Sequence, residues 1–488
     1  MRVDNYTKNS EHNKSLYTKK TNSTRISHGF NLLEIKTIRS FISWNGFPYI
    51  FQVLMLAVFI TLIIIGWQIY TPENVNDKLF AKTNIVTLLI WGIWWPLMIW
   101  LAVTMGRVWC MICPLELVSN VTERIGRRFG LKQKPLTKWI RGGAIIVFIY
   151  SLIQLLVAGI HLHRIPAYTS FFLIGLLTLS AFVGIFFKDR AFCRGFCPIG
   201  MLLNAYGRGG MIAVRAGSES TCQSCTGKDC IMTCNKNKLD GRSCPSLLNP
   251  PKLNSNKDCL VCGQCIKSCQ PDNMQLLLRK PFDKNDAREE KASWALTIFI
   301  MLVSGFVTSE LTTEWKAANK IFVIIPEFLT KYYGLENING FVEGAWTIII
   351  FPLFLWSIFG IIVLAVKGAA SITDAWRRLA LPSVIIISAG HLTKAAAKLN
   401  TWVGFLPGSF NDTKGENTAK LVASGINVPS ALISTPIVSL IGLTILIIAF
   451  GYSLREEKII YNSYFNSHFF PKLLLFLLFA VIIIGMGI

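Results

Sequence analysis

The sequence predicts an all-α polytopic membrane protein of about nine membrane-crossing helices, interrupted by one polar, cysteine-rich segment. Three observations carry that prediction. Of 488 residues, 52% are hydrophobic and only 16% charged, and mean hydropathy is +0.47. The apolar excess lies in long runs rather than in a raised background, which excludes an ordinary soluble chain and a disordered one. All 13 cysteines fall within residues 105–142 and 188–291. Finally, 49 lysines and arginines stand against 27 acids, a net charge of +22. In an apolar chain that charge reads as topology-setting loops, so no nucleic-acid partner is expected.

Runs long enough to approach a crossing occur near 48–70, 84–104, 143–160, 169–187, 293–309, 345–366, 380–397, 430–452 and 471–488. A helix needs about 20 residues to span the hydrocarbon core, and the seventh run is the weakest. Residues 1–45 are polar and basic (Lys14, Lys19, Lys20, Arg25, Lys36) and lack the apolar core of a cleaved signal. They read as a cytoplasmic tail, with the first 28 or so residues flexible. The loop 105–142 carries Arg107, Arg124, Arg127, Arg128 and four further cations, whereas 310–344 carries Glu310, Glu314, Glu327, Glu336 and Glu343. By the positive-inside rule the N-terminus and every cysteine are cytoplasmic. The chain then divides into a tail (1–45), four helices with cysteine turns (46–200), a polar segment (201–291) and a second helix block (292–488).

A reducing cytosol disfavours structural disulfides, so the cysteines read as metal or redox ligands. Cys259-x2-Cys262-x2-Cys265-x3-Cys269 is the bacterial ferredoxin run, in which three close cysteines hold one cubane and the fourth reaches the other cluster. Cys222-x2-Cys225-x4-Cys230-x3-Cys234 is the same run with two residues inserted. The insert is therefore expected to be a ferredoxin-like α+β segment with two [4Fe–4S] clusters. One would be held by Cys222, Cys225, Cys230 and Cys269, the other by Cys259, Cys262, Cys265 and Cys234. Cys244-Pro245 is left over, and its proline makes Cys244 the alternative to Cys234. Two four-cysteine zinc sites are the competing reading. Lys228, Lys236, Lys238 and Lys267 would offset the clusters' negative charge, or are simply solvated lysines.

The other four cysteines form two related turns. One reads Gly106-Arg-Val-Trp-Cys110-Met-Ile-Cys113-Pro114, the other Asp189-Arg-Ala-Phe-Cys193-Arg-Gly-Phe-Cys197-Pro198. Asn120 and Asn204 follow at the same offset, and each turn follows a pair of spans, a tandem repeat. Four thiols at one membrane surface predict a third iron–sulfur centre, with Arg107, Arg190 and Arg194 lowering the thiol pKa values. A redox-active dithiol pair or structural thiols are the alternatives.

This motif order, over about residues 45–290, resembles the membrane polyferredoxins of anaerobic respiration, in particular NapH-type quinol dehydrogenase subunits and the membrane region of NosR-type proteins. The resemblance implies a multi-pass protein of the prokaryotic inner membrane whose clusters carry electrons between the quinone pool and a respiratory reductase or electron carrier. Two departures stand out. The first cysteine turn has two intervening residues where the family usually has three, and the helix block after residue 290 is unmatched.

That block contains no cysteine. Its seventh run holds Ser388, His391, Lys394 and Lys398 on one helix face, with Ala395–Ala397 placed for close packing on the other. Ionisable residues inside a span are costly and usually functional, so a quinone pocket or proton path is expected at His391 and Lys394. The alternative is an interfacial helix. A haem shared with His161 or His163 is disfavoured, because His391 counts to mid-depth and His161 to the outer surface. Two functions remain: an electron-transfer subunit, or an accessory maturation factor or metal reductase for a respiratory metalloenzyme.

Overall fold

The computed structural model describes residues 29–238, 240–282 and 291–488; the tail expected over residues 1–28 lies outside them. Among the described residues, eight helices are long and apolar enough to cross a membrane. They are α1 (Tyr49–Gly66), α2 (Ile85–Met105), α4 (Pro166–Phe186), α5 (Trp294–Thr312), α6 (Glu336–Ala365), α7 (Ile372–Trp402), α8 (Thr435–Tyr461) and α9 (Phe469–Met486). The third expected span is the exception. It forms α3 (Ala144–Gly159), a helix of 16 residues. At 1.5 Å per residue this reaches only about 24 Å. α3 still connects the two faces. It starts beside the second cysteine turn, with Gly143 against Met201, and two residues past its far end His161 meets Asp77 from the α1–α2 connector at 3.5 Å.

α7 is the structural centre. In its most apolar stretch 94% of the residues are buried, against 22% for α1. It packs on α2, α5, α6, α8 and α9. Its first turn is fixed by Ser371, whose Oγ accepts from the Asp374 amide at 3.1 Å. Asp374 in turn pairs with Lys291 at 2.7 Å and Arg378 at 3.0 Å. The run with the weakest hydropathy is thus the most enclosed. Its surroundings are protein rather than lipid, so polar side chains find partners there. Ala396 and Ala397 pack against Val438 and Met486, whereas Ala395 turns to the His391 side.

Two spans contain a widened turn before a proline. In α2 the amide of Trp95 reaches Ile90, and in α6 that of Phe351 reaches Trp346, each an i→i−5 bond. Pro96 and Pro352 have no N–H to donate, and the π-type turn absorbs the break without ending the helix. At Gly92, inside the α2 turn, a Cβ would stand 2.1 Å from the Trp402 ring. The absent side chain lets the end of α7 close on α2.

On the cysteine face β1 (Phe30–Asn31), β2 (Ile212–Ala216) and β3 (Met274–Leu278) form an antiparallel sheet in the order β1-β3-β2. Val214 pairs with Leu276. Leu33, Ile42 and Phe47 share one apolar core with Val214, Val261, Ile266 and Leu276. Residues 30–47 therefore pack with the cysteine segment. Lys267 ties the two together, its Nζ donating to the carbonyls of Trp44 at 2.6 Å and Phe47 at 2.5 Å.

Candidate functional site

The two cysteine turns are built alike, where spans end. α2 stops at Gly106, whose φ of +80° only glycine adopts freely. A single helical turn (Trp109–Ile112) follows, and Cys113 precedes the helix Pro114–Arg128 with its proline at the favoured first position. After α4, Asp189 and Arg190 take left-handed backbone conformations, φ 69° and 54°. They lead into the turn Ala191–Gly195, with Cys197 and Pro198 next. The non-glycine strain at Arg190 is held by Glu116, whose carboxylate lies 3.1 Å from its Nε.

Cys110, Cys113, Cys193 and Cys197 all line one end of a single internal cavity. Burial, with the neighbouring thiols adding to it, raises Cys113 well above its usual range and pushes Cys197 up to about 12. Burial raises Cys193 as well, against the opposing pull of Arg190. The expected lowering of these pKa values by arginine is therefore outweighed by burial. Arg107 and Arg190 do stand at the thiols, whereas Arg194 sits beside Asp189 and Arg141. Buried thiols of this kind stay protonated at neutral pH until a metal displaces the proton.

The donor set fits an iron–sulfur cluster. Four thiols converge from two turns, and buried Arg107 and Arg190 keep Nε and Nη2, respectively, without protein partners beside them. Unpaired guanidinium N–H groups are costly unless an anion faces them, and a thiolate-ligated cubane is anionic. Among the described residues no three Cys, His, Asp or Glu side chains close on one ion-sized point. Behind the thiols, Glu116 (2% exposed) accepts from Arg242 at 2.9 Å and from Gln52 at 2.7 Å. Burial alone would raise its carboxyl, but Arg242 and Arg190 outweigh this and hold it at about 2.

In the polar segment Cys222, Cys225, Cys230 and Cys269 are mutual neighbours. Asn273 orients two of them, its side chain donating to Cys222 Sγ and its amide to Cys269 Sγ, both at 3.2 Å. Cys259, Cys262 and Cys265 are grouped with Cys244. The Cys244 amide is bonded to the Cys230 carbonyl at 2.9 Å, and Cys234 is exposed. Cys262 also lies near Arg242 and Arg190, so this second group borders the four-thiol head. Of the four lysines singled out, Lys236 pairs with Asp189 and Lys267 with backbone carbonyls, while Lys228 and Lys238 are exposed.

The cavity, about 120 Å³, runs from the thiols between α2, α3, α4, α5 and α7 to His391, Lys394 and Lys398. Its middle is aromatic, with Trp91, Trp94, Trp95, Tyr150 and Phe306. The Trp94 Nε1 atom there has no protein partner, and the Tyr150 hydroxyl stands beside the Gln154 side chain. His391 Nδ1 is 3.1 Å from the hydroxyl of buried Tyr206. Lys394 Nζ donates to Thr313 Oγ1 at 2.6 Å and Glu314 at 2.7 Å, and lies 3.5 Å from Glu310. Glu310 belongs to the last turn of α5 and faces the cavity, not a loop. His163 lines the same cavity as His391, whereas half-buried His161 faces Asp77. Ser388 bonds the Ile385 carbonyl and stays out of the cavity.

No protein-family model matches the chain, and no solved structure matches it. Curated proteins do. Over 189 residues the chain is 25% identical to the ferredoxin-type protein NapH of Escherichia coli K12, covering 36% of this chain and 62% of NapH. An uncharacterized protein of Methanocaldococcus jannaschii is 27% identical over 218 residues, covering 44% of this chain and 77% of that protein. The putative electron transport protein YccM of E. coli K12 is 25% identical over 213 residues, covering 39% of this chain and 56% of YccM. The chain thus spans less than two thirds of NapH and of YccM. These distant, partial likenesses support a membrane polyferredoxin-like family without singling out a member.

Proposed function

We propose that this chain is a membrane iron–sulfur protein that passes electrons between the quinone pool and a respiratory reductase or electron-carrier partner. The names of two relatives, a ferredoxin-type protein and a putative electron transport protein, support the general class. The observation that carries the finer reading is the cavity. A single cavity has four thiols at one end and His391, Lys394 and Glu310 at the other. Apolar and aromatic walls with a few convergent polar groups suit a quinone ring.

In this reading Cys110, Cys113, Cys193 and Cys197 hold a third cluster. Cys222, Cys225, Cys230 and Cys269 hold the outermost one, and Cys259, Cys262, Cys265 and Cys244 the one between. Bound there, [4Fe–4S] clusters supply one-electron transfer. The protein supplies the rest. Trp94 Nε1 and Tyr150 Oη donate to ring oxygens. His391, oriented by Tyr206, receives a quinol proton, and the surrounding helices exclude water. Glu116 locks Arg190 and Arg242 between the inner and middle cysteine groups. The basic loops support a reading in which the cysteine face lies in the cytoplasm and the membrane is a prokaryotic inner membrane.

Iron and acid-labile sulfide on anaerobically purified protein test this reading, followed by quinol addition. About twelve of each per chain, with rapid bleaching by quinol, is the expected result. Zinc without sulfide, or reduction only by a soluble donor, contradicts it.

A further inference from the structure

Quinol oxidation sends two electrons toward the cysteines, but the two protons need a route of their own. The cavity-lining residues include two carboxylates, Glu116 and Glu310. Glu116, at the thiol end, has both oxygens engaged: Oε1 by Arg190 and Arg242, Oε2 by Gln52. It offers no lone acceptor and leads only to buried guanidinium groups. Glu310, at the other end, shares a single ammonium, Lys394, at 3.5 Å. Lys394 also reaches Glu314 at 2.7 Å and Thr313 at 2.6 Å.

Glu314 and Thr313 are not part of the cavity wall; they lie just past the end of α5. α5 begins at the cysteine face, where Ala295 and Met201, four residues after Cys197, both stand at Gly143. Its other end is therefore the face opposite the cysteines. Glu310 and Glu314 are partly accessible, their side chains 33% and 26% exposed. Lys394 is thus a bridge, with one carboxylate inside the cavity and one beyond it. Lys398, His163, His391, Arg164 and Tyr150 are the other cationic or titratable groups near Glu310.

Resting on the quinol reading above, we infer that Glu310, Lys394 and Glu314 form a proton exit to the face opposite the cysteines, so that turnover separates charge across the membrane. Each quinol loses its two O–H protons and two electrons and becomes quinone. The electrons leave through the cysteine end to an oxidised one-electron acceptor. For each proton, the Lys394 ammonium first releases one of its own to Glu314 and then, as the neutral amine, takes one from protonated Glu310. The net effect is two negative charges delivered to one face and two protons to the other.

Proteoliposomes with a membrane-soluble naphthoquinol, a pH dye trapped inside and ferricyanide outside test this. Ferricyanide draws electrons only from molecules whose cysteine face points out. The expected result is acidification of the lumen by both protons of each quinol, in step with ferricyanide reduction and abolished by a protonophore. Normal electron flow with protons appearing only outside overturns the exit and leaves the quinol reading standing. Absence of quinol-driven electron flow removes both. Glu310→Gln, at unchanged iron content, is expected to slow electron and proton release about a hundredfold, with recovery in Glu310→Asp. A Glu310→Gln protein with the wild-type rate removes Glu310 from the route.

Discussion

The two ends of the cavity solve the same problem, charge inside a membrane protein, in opposite ways. At the thiol end Glu116 is clamped by two guanidinium groups and a glutamine, and its pKa of about 2 makes it a fixed anion. At the other end Lys394 is shared between Glu310, which lines the cavity, and Glu314, which does not, with Thr313 as a further acceptor. The first arrangement is rigid and suits ligands that must not move. The second has alternative partners and suits groups that exchange protons. A buried ion network alone therefore does not announce catalysis; what matters is whether its members have somewhere to send a proton.

The strongest way to break this contrast is at Glu116. Glu116→Ala leaves Arg190 and Arg242 buried without their anion, which is expected to cost about 3–5 kcal/mol. It should appear as a lowered unfolding midpoint and loss of the inner centre's iron. The same clamp predicts acid sensitivity. The folded pKa of Glu116 is depressed, so its stabilisation is complete above about pH 4.5 and is lost as pH falls toward 2. For a shift of that size the contribution is about 3 kcal/mol. A wild-type midpoint flat across that range, or a Glu116→Ala protein as stable as wild type, contradicts the clamp.

Next in size is the paired test of the middle cluster. Cys244→Ser is expected to remove that cluster's iron, about a third of the total, whereas Cys234→Ser keeps the full complement. The reverse pattern restores Cys234 as the remote ligand. At the proton-exchanging end, His391→Ala is expected to slow quinol-dependent cluster reduction about a hundredfold while dithionite reduction is unchanged. Equal quinol rates would remove His391 from the pocket. The smallest effect is structural. Gly92→Ala forces a methyl against Trp402 and is expected to cost about 1–3 kcal/mol, read as a lower thermal midpoint with iron content intact.

Much of this arrangement was legible in the sequence, because spacing encodes it. The repeated Cys-Pro turns, the two cysteine runs and the His391–Lys394 row are local patterns. What spacing does not encode is which distant patterns meet. The pairing of Cys244 with Cys259, Cys262 and Cys265 depends on a loop closure, of which the proline after Cys244 was the one visible sign. Glu310 and Glu314 read as acids of an outer loop, since hydropathy alone does not show that the helix continues to Thr312. Residues 30–45 read as the end of a tail, because a two-residue strand leaves no periodic trace. The seventh span was faint for a physical reason: hydropathy reports contact with lipid, and α7 is wrapped in protein.

In this reading electrons enter through the four-thiol head of the cavity, and Cys193→Ser removes that entry. Iron–sulfur absorbance is followed in a stopped-flow instrument after mixing anaerobic protein with quinol, then with dithionite. This variant is expected to keep the two outer clusters, which dithionite bleaches and quinol does not. Quinol bleaching at the wild-type rate, or a variant with undiminished iron, would contradict this reading.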